Sequence, residues 1–268
     1  MYVVIDTSAP GNLDTVSKSV FKYDNLKRLI KYEYVSYTNG VFIPAQSYRL
    51  WNAYFYNGTD TLPAQEIDSV NELSSVGRTN TYYKYANGRL ITDSTVRLGT
   101  SSDEVHNYYY LPNKIVDTFS LYDKTTTPFT RSYVSYKNVF RQTQNNNVIS
   151  NTDSLYDNIS FTPPPTFTYL ETQKTTNTFD NNKNPFYKFS SLDPFLNNYN
   201  SIFEAFPFSK QSKSNTTQFS LDVTGSNSFM VRFRFSYQYK ANGFPTIVRA
   251  ADLDDPTTFF KGFYFYTN

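Results

Sequence analysis

Apolar and polar residues alternate along most of this chain, and the alternation is most regular from Phe229 to Lys240. One set of positions is aromatic or aliphatic: Phe229, Val231, Phe233, Phe235, Tyr237 and Tyr239. The positions between them are mainly charged or amide side chains. A period of two is the signature of a β-strand with one covered face, so this stretch predicts such a strand.

An Asn-Gly pair at Asn242-Gly243 follows this strand and predicts a hairpin turn. Both residue types tolerate the positive φ that a type I′ turn requires. The expected register places Tyr237 opposite Val248, and Phe235 opposite Ala250.

The same pattern is centred on Asn87-Gly88, where aromatic residues lead into the pair and apolar residues leave it. A two-residue loop predicts two cross-strand pairs: Tyr85 with Leu90, and Tyr83 with Thr92. The run from Phe21 to Ile30 is a first, altered copy of this hairpin.

Further copies suggest a repeat, because Asn87, Asn113 and Asn138 lie 26 and 25 residues apart. That period accommodates one hairpin of two strands with its turns. We therefore expect these three asparagines to lie along one rim of a single sheet.

Other segments lack the strand period. The stretch from Thr59 to Ser75 predicts a long loop with one helical turn near 64–70, and Lys210–Thr216 predicts a polar loop. Three- and four-residue spacing of apolar residues predicts a helix at about 192–205, ended by Pro207.

The predicted fold is all-β: an antiparallel meander of repeated β-hairpins forming a large twisted sheet or open barrel, with one short helix near 192–205. We expect one domain over 1–268, with a helix-containing insertion at about 191–216. Composition agrees, since 25 Tyr and 24 Phe suit a pleated, half-buried surface.

Net charge and cysteine content exclude several classes of function. A net charge of +2 gives no reason to expect nucleic acid as a partner. The chain has no Cys, which excludes disulfide and thiolate chemistry, and no apolar run is long enough for a transmembrane helix. We expect no cofactor.

The repeated hairpin resembles the YD repeats of Rhs-like bacterial surface proteins, most closely in Tyr83–Leu90 and Tyr23–Leu29. The chain is more similar to secreted or lipid-anchored Gram-negative surface proteins of unknown function that carry Tyr-x-Tyr-x-Asn-Gly hairpins. Phe179–Phe186 and Tyr237–Pro245 match segments typical of that group.

This resemblance implies an extracytoplasmic protein, at the outer surface or in the periplasm, as a lipoprotein whose signal was removed. Membrane contact would then be made only through a lipid anchor. A glycan or a cell-surface protein is the expected kind of partner.

Catalytic chemistry has little support in the sequence. His106 is the only histidine, and a Ser-His-Asp triad would have to use it, but no nucleophile-elbow pattern accompanies any serine. Asp252, Asp254 and Asp255 could hold a hard cation such as calcium, although acidic clusters more often occupy solvated turns. A pair of glycosidase carboxylates cannot be selected among 23 acidic residues.

The sole tryptophan divides the binding and structural interpretations. Alternation on its strand places Trp51, Ala53 and Phe55 on one face, with Asn52, Tyr54 and Tyr56 on the other. We expect Trp51 to be buried, and Asn52, Tyr54 and Tyr56 to be the exposed candidates for ligand binding.

The sequence thus predicts a non-catalytic binding or scaffold protein of a bacterial surface or periplasm. A carbohydrate-binding accessory protein is the alternative, and a secreted hydrolase is third.

Overall fold

The computed structural model describes residues 2–7, 14–37, 41, 49–72, 75–97, 99–160, 166–185, 212–225, 228–255 and 259–266. Sixteen strands occur in this part of the chain. Their bounds are β1 Tyr2–Thr7, β2 Asp14–Tyr23, β3 Leu29–Ser36, β4 Arg49–Phe55, β5 Gln65–Glu72, β6 Ser75–Ala86, β7 Arg89–Arg97, β8 Ser102–Tyr110, β9 Ile115–Asp123, β10 Thr130–Gln144, β11 Asn147–Ser160, β12 Thr166–Lys183, β13 Ser214–Gly225, β14 Phe229–Tyr239, β15 Pro245–Asp252 and β16 Phe259–Phe265.

Each strand pairs antiparallel with the strands before and after it in the chain. The ladder also joins its two ends, because β1 pairs with both β2 and β16, with Val4 opposite Phe263. The predicted all-β antiparallel meander is confirmed. The pairing of β1 with β16 closes it into a barrel, which the sequence had left open between a twisted sheet and an open barrel.

The Asn-Gly hairpins form where the sequence predicted them. Asn87 and Gly88 have φ of 52° and 71°, the left-handed region that the turn requires. Tyr85 faces Leu90 as predicted, but Tyr83 faces Asp93 rather than Thr92, because the register shifts by one residue between Lys84 and Tyr85.

The turn prediction at Asn138 is wrong. Asn87 and Asn113 lie in turns at one rim of the barrel, but Asn138 lies inside β10, opposite Val116 and Ser154. The turn falls instead at Asn145 and Asn146, which have φ of 51° and 62°. No glycine follows Asn138, and the β-branched Val139 after it favours extended backbone.

The predicted loop from Thr59 to Ser75 is also wrong in its second part, which forms β5 and pairs with β4 and β6. The predicted helical turn near 64–70 is therefore absent. The predicted helix at 192–205 lies outside the described residues, as does most of the predicted insertion at about 191–216. Ser214–Thr216 belongs to β13 rather than to a loop.

Residues that face each other across an antiparallel ladder share a face of the sheet, so the registers divide the strand residues into two faces. One face carries most of the buried side chains, including Phe233, Phe235, Val248 and Tyr264. We call it the inner face, because the concave side of a closed barrel is the sheltered side. The other is the outer face.

The inner face on β14 is the aromatic one that alternation predicted, and Phe233 is only 4% exposed. The predicted pairs of Tyr237 with Val248 and of Phe235 with Ala250 are confirmed. These residues belong to a core cluster that also contains Phe21, Leu29 and Tyr264.

The barrel has two halves of different chemistry. We call β5–β12 the polar half, since inner positions there carry Glu66, Asp68, Asp93, Glu104, His106, Asp117, Lys137, Arg141, Asp153, Asp157 and Glu171. We call β13–β16 with β1–β4 the aromatic half, since its core cluster is apolar. Within the described residues, no helix is long and apolar enough to cross a membrane.

Candidate functional site

A group of polar side chains surrounds Glu66 on the inner face, where β4, β5 and β6 meet. Asn52 Nδ2 donates to Glu66 Oε1 at 2.5 Å, and the Tyr83 hydroxyl donates to Glu66 Oε2 at 2.5 Å. Tyr54 lies directly opposite Glu66 in the ladder. One carboxylate therefore ties side chains from three strands together.

Two tyrosines beside this group have raised pKa values. Burial raises the pKa of Tyr54 well above its ordinary value, and the neighbouring Glu66 carboxylate raises it further. Burial also raises the pKa of Tyr56 to about 12. The Tyr56 hydroxyl donates to the Leu29 carbonyl oxygen at 2.7 Å. Because both pKa values are raised, Tyr54 and Tyr56 stay neutral at physiological pH.

Asn52, Tyr54 and Tyr56 thus come together as predicted, but on the inner face, where all three are half-buried rather than exposed. Asn52 Oδ1 is buried with no hydrogen-bond partner among the described residues, so it can still accept a hydrogen bond from a ligand. Ligand binding by these three residues stays a prediction.

Trp51 does not lie in the core, which corrects the burial expected for it. It is half-buried on the outer face, opposite Glu33, with Lys31 Nζ 5.8 Å from its ring centroid. Alternation separates the two faces of a strand, but it does not say which of them the barrel covers.

Sequence reasoning missed Glu66 because β5 was predicted to be a loop. The signal was weak, because Ile67 is the only apolar residue at the outer positions of β5, and the other outer positions carry Gln65, Ser69 and Asn71. With polar residues on both faces, the strand shows almost no alternation.

A second polar group lies on β7, β8 and β9. His106 Nδ1 is 2.8 Å from Asp117 Oδ1, and the Tyr108 hydroxyl donates to Asp93 Oδ2 at 2.5 Å. Asp93 lies directly opposite both Tyr83 and His106, so this group continues the one around Glu66. We call the two groups together the inner polar belt.

Asp93 and Asp153 are two of the polar-half carboxylates whose pKa values are raised. Burial raises the pKa of Asp93, although His106 and the Tyr108 hydroxyl act in the opposite direction. Burial likewise raises the pKa of Asp153, against Lys137, whose Nζ is 3.8 Å from Asp153 Oδ2. Desolvation disfavours the ionised form and outweighs the partners at both sites.

The surroundings of His106 are those of a structural residue. Its ring stacks on Tyr108 with centroids 6.0 Å apart, and Phe119 lies 4.9 Å away on the neighbouring strand. Asp117 orients the imidazole, as a carboxylate does in a catalytic triad, but these contacts equally join β8 to β9. The absence of enzymatic activity stays a prediction.

The acidic cluster at the end of β15 organises a turn. Asp252 Oδ1 accepts hydrogen bonds from the backbone N–H groups of Asp254 and Asp255, at 2.8 and 3.2 Å. Asp254 pairs with Arg232, and this hydrogen bond lowers the pKa of the Asp254 carboxyl. Among the described residues, no group of three or more possible ligand residues is arranged to hold a metal ion. Calcium binding here stays a prediction.

An aromatic patch lies on the outer face of β10, β11 and β12. Tyr136 and Tyr156 face each other in the ladder and stack with centroids 4.5 Å apart. Phe167 packs edge-on against Tyr136, and Tyr169 against Tyr156. The Tyr169 hydroxyl donates to Thr172 Oγ1 at 3.0 Å, so polar groups border the rings.

Two solved structures have a similar fold. A porin-like protein from Bacteroides vulgatus superimposes with a TM-score of 0.50 at 11% sequence identity, covering 98% of this chain and 97% of that one. A porin-like protein from Bacteroides uniformis gives the same score and identity, covering 98% of this chain and 95% of that one. This likeness shows a porin-like β fold. No family model and no curated protein matches the sequence.

Proposed function

We propose that this chain is a non-catalytic protein of the bacterial envelope, at the outer surface or in the periplasm. In this proposal the closed barrel is a rigid scaffold, and its outer face makes the binding contacts. The extracytoplasmic setting is supported by the porin-like Bacteroides neighbours and by the likeness to secreted or lipid-anchored surface proteins.

The observation that carries this proposal is the contrast between the two faces. On the inner face, the carboxylates of Glu66, Asp93 and Asp117 are already bonded to side chains of neighbouring strands. Most of the exposed large apolar side chains of the strands stand at outer positions instead, namely Phe55, Tyr82, Tyr109, Phe140, Tyr169, Met230 and Phe265, whereas Phe229 is exposed at an inner position at the start of β14. Exposed apolar groups are the usual sites of contact with other molecules.

The outer face of the aromatic half also supports a position outside the hydrocarbon core of a membrane. Arg232, Arg234 and Arg249 are exposed there. A lipid-facing Arg at the bilayer midplane costs about 2–4 kcal/mol, so several such residues oppose insertion of this half.

The test is to fold the purified chain without detergent. We expect a β-sheet circular dichroism spectrum and a cooperative unfolding transition in plain buffer. A requirement for detergent micelles or lipid to reach the folded state would contradict the proposal.

A second candidate function is carbohydrate binding, which the outer aromatic patch favours, because tyrosine rings bordered by hydroxyl groups can stack on sugars. Calorimetric titration with neutral oligosaccharides tests it. Tyr156→Ala should lower the affinity about tenfold or more, on the scale of one lost aromatic contact. The matched control is Tyr109→Ala, an exposed outer tyrosine away from the patch.

A further inference from the structure

The outer face of the aromatic half is rich in basic residues. They occupy outer positions on β14, β15, β16, β2 and β4, and we call them the basic wall: Arg234, Arg249, Lys261, Lys18, Lys22 and Arg49. The outer positions of the polar half also carry basic residues, Arg78, Lys84, Arg89, Arg131 and Lys174, but none of these five lies directly opposite another basic residue. The two halves therefore differ mainly in how their outer basic residues are placed next to one another.

Several of these charges lie beside charges of the same sign. Arg249 is directly opposite Lys261, and Lys22 is directly opposite Lys31. Arg234 is a diagonal neighbour of Arg249, at the ~7–8 Å spacing typical of such pairs. Like charges in these positions repel each other, so an anion bound between them would relieve a cost that the free protein carries.

Local acids neutralise only part of this surface. Glu33 pairs with Lys31 and also attracts Lys22 and Arg49, and Asp254 pairs with Arg232. Asp6 is the register partner of Lys261 on its other side. Arg234 and Arg249 form no ion pair with a described residue, and both are exposed.

Apolar side chains stand among these cations. Met230 on β14 is 53% exposed, Phe265 on β16 is 40% exposed and Phe55 on β4 is 48% exposed, and Trp51 and Phe263 are half-buried on the same face. Lys261 Nζ is 4.7 Å from the Phe263 ring centroid, so a cation and an apolar ring are adjacent on this face.

We propose that the basic wall binds an anionic lipid surface, so that the barrel lies on its side against a membrane without crossing it. Basic residues attract anionic headgroups, and Phe and Met gain by entering the region below them. These two residue types have no polar group for a sugar hydroxyl, so a bilayer suits the surface better than an acidic polysaccharide does. The contact would add to any lipid anchor. This proposal rests on the proposed function in one respect: both require the chain to fold outside the hydrocarbon core of a membrane.

Trp51 makes the test direct, because the only tryptophan of the chain lies on this surface. Folded protein is titrated with vesicles of phosphatidylglycerol mixed with phosphatidylcholine, and with vesicles of phosphatidylcholine alone. We expect a blue shift of the Trp51 emission with the anionic vesicles only, reversed as NaCl rises from about 0.05 to 0.5 M. Sedimentation of the vesicles gives the bound fraction independently.

The double variant Arg234→Glu/Arg249→Glu should weaken binding to anionic vesicles at least tenfold, since each basic residue near such a surface contributes about a fivefold factor. The matched control is Arg78→Glu/Lys84→Glu, which makes the same change of net charge at exposed outer positions of the polar half. This control variant should keep most of its affinity for anionic vesicles.

Equal losses in the two double variants would overturn the proposal, because net charge rather than the basic wall would then set the affinity. Failure of the folded native protein to bind anionic vesicles would overturn it as well. Binding to soluble polygalacturonate without binding to vesicles would assign the surface to an acidic polysaccharide instead. A chain that does not fold without detergent would contradict the proposed function itself, which is a separate result.

Discussion

The two halves of the barrel place opposite chemistry on the same inner face. In the aromatic half, the inner face buries Phe233, Phe235 and Val248 in one apolar cluster, while Arg and Lys stand outside. In the polar half, Asp93 and Asp117 lie inside with their hydrogen-bond partners. The outer positions of β7–β11 are largely uncharged there.

The two halves of the barrel are therefore stabilised in two different ways. Burial of aromatic side chains gains hydrophobic free energy and places no demand on direction. Buried carboxylates must each find a donor, and the ladder provides it by setting Tyr, His and Asn side chains on adjacent strands at the same height. We expect the aromatic half to respond mainly to lost volume, and the polar half to lost partners and to pH.

The largest expected effect is loss of volume in the aromatic half. Phe233→Ala should lower the free energy of unfolding by about 3–5 kcal/mol, because the ring is 4% exposed within the core cluster. Denaturant unfolding measures this. Phe140→Ala is the matched control at an outer position that is 43% exposed, and it should cost less than about 1 kcal/mol. Equal costs would show that the inner face had been assigned wrongly.

Loss of a partner in the polar half should have the next largest effect. Asp117→Ala leaves the His106 imidazole without its carboxylate and should cost about 1–3 kcal/mol by the same measurement. Asp222→Ala serves as the control, because Asp222 lies on the outer face opposite Lys174 and a surface pair contributes about 0–1 kcal/mol. If Asp117→Ala lowers the free energy of unfolding no more than the control does, the inner polar belt does not contribute to stability at this position.

The turn at Asn87-Gly88 tests backbone conformation rather than packing. Gly88 has φ of 71°, and a Cβ added there would meet no atom within 4 Å, so Gly88→Val should cost about 1–3 kcal/mol through the backbone alone. Ala86→Val is the control, since Ala86 is an exposed strand residue that tolerates β-branching. If melting temperature falls equally in both variants, the cost does not come from positive φ.

The smallest effect concerns pH. A carboxyl whose pKa is raised on folding favours the protonated form, so its contribution to stability is present at low pH and is lost as pH rises through the folded pKa. Burial raises the pKa of Asp93, so Asp93→Asn should gain stability relative to the native chain as pH rises from about 4 to 7. Denaturant unfolding across this range measures the difference in free energy of unfolding between the two chains. If that difference does not change with pH, Asp93 does not contribute to the pH dependence of stability.

The inner polar belt could be predicted only in part. Alternation predicted that Asn52, Tyr54 and Tyr56 share one face, and the ladder places Asn52 and Tyr54 on the inner face, with Tyr56 directly after the end of β4. Alternation could not predict that Glu66 and Tyr83 lie beside Asn52, because these two residues belong to other strands whose register depends on the whole barrel. The likeness to YD-repeat proteins stays a prediction.

Neighbouring residues were enough to predict the local features: the strand period of β14, the Asn-Gly turns, and the pairing of Phe235 with Ala250. These depend on side-chain alternation and turn geometry, which act over a few residues. Three other features depend on the complete barrel: Trp51 faces outward, Asn138 lies within a strand, and β1 pairs with β16. Period two marks two faces without saying which one is covered, and closure joins residues from the two ends of the chain.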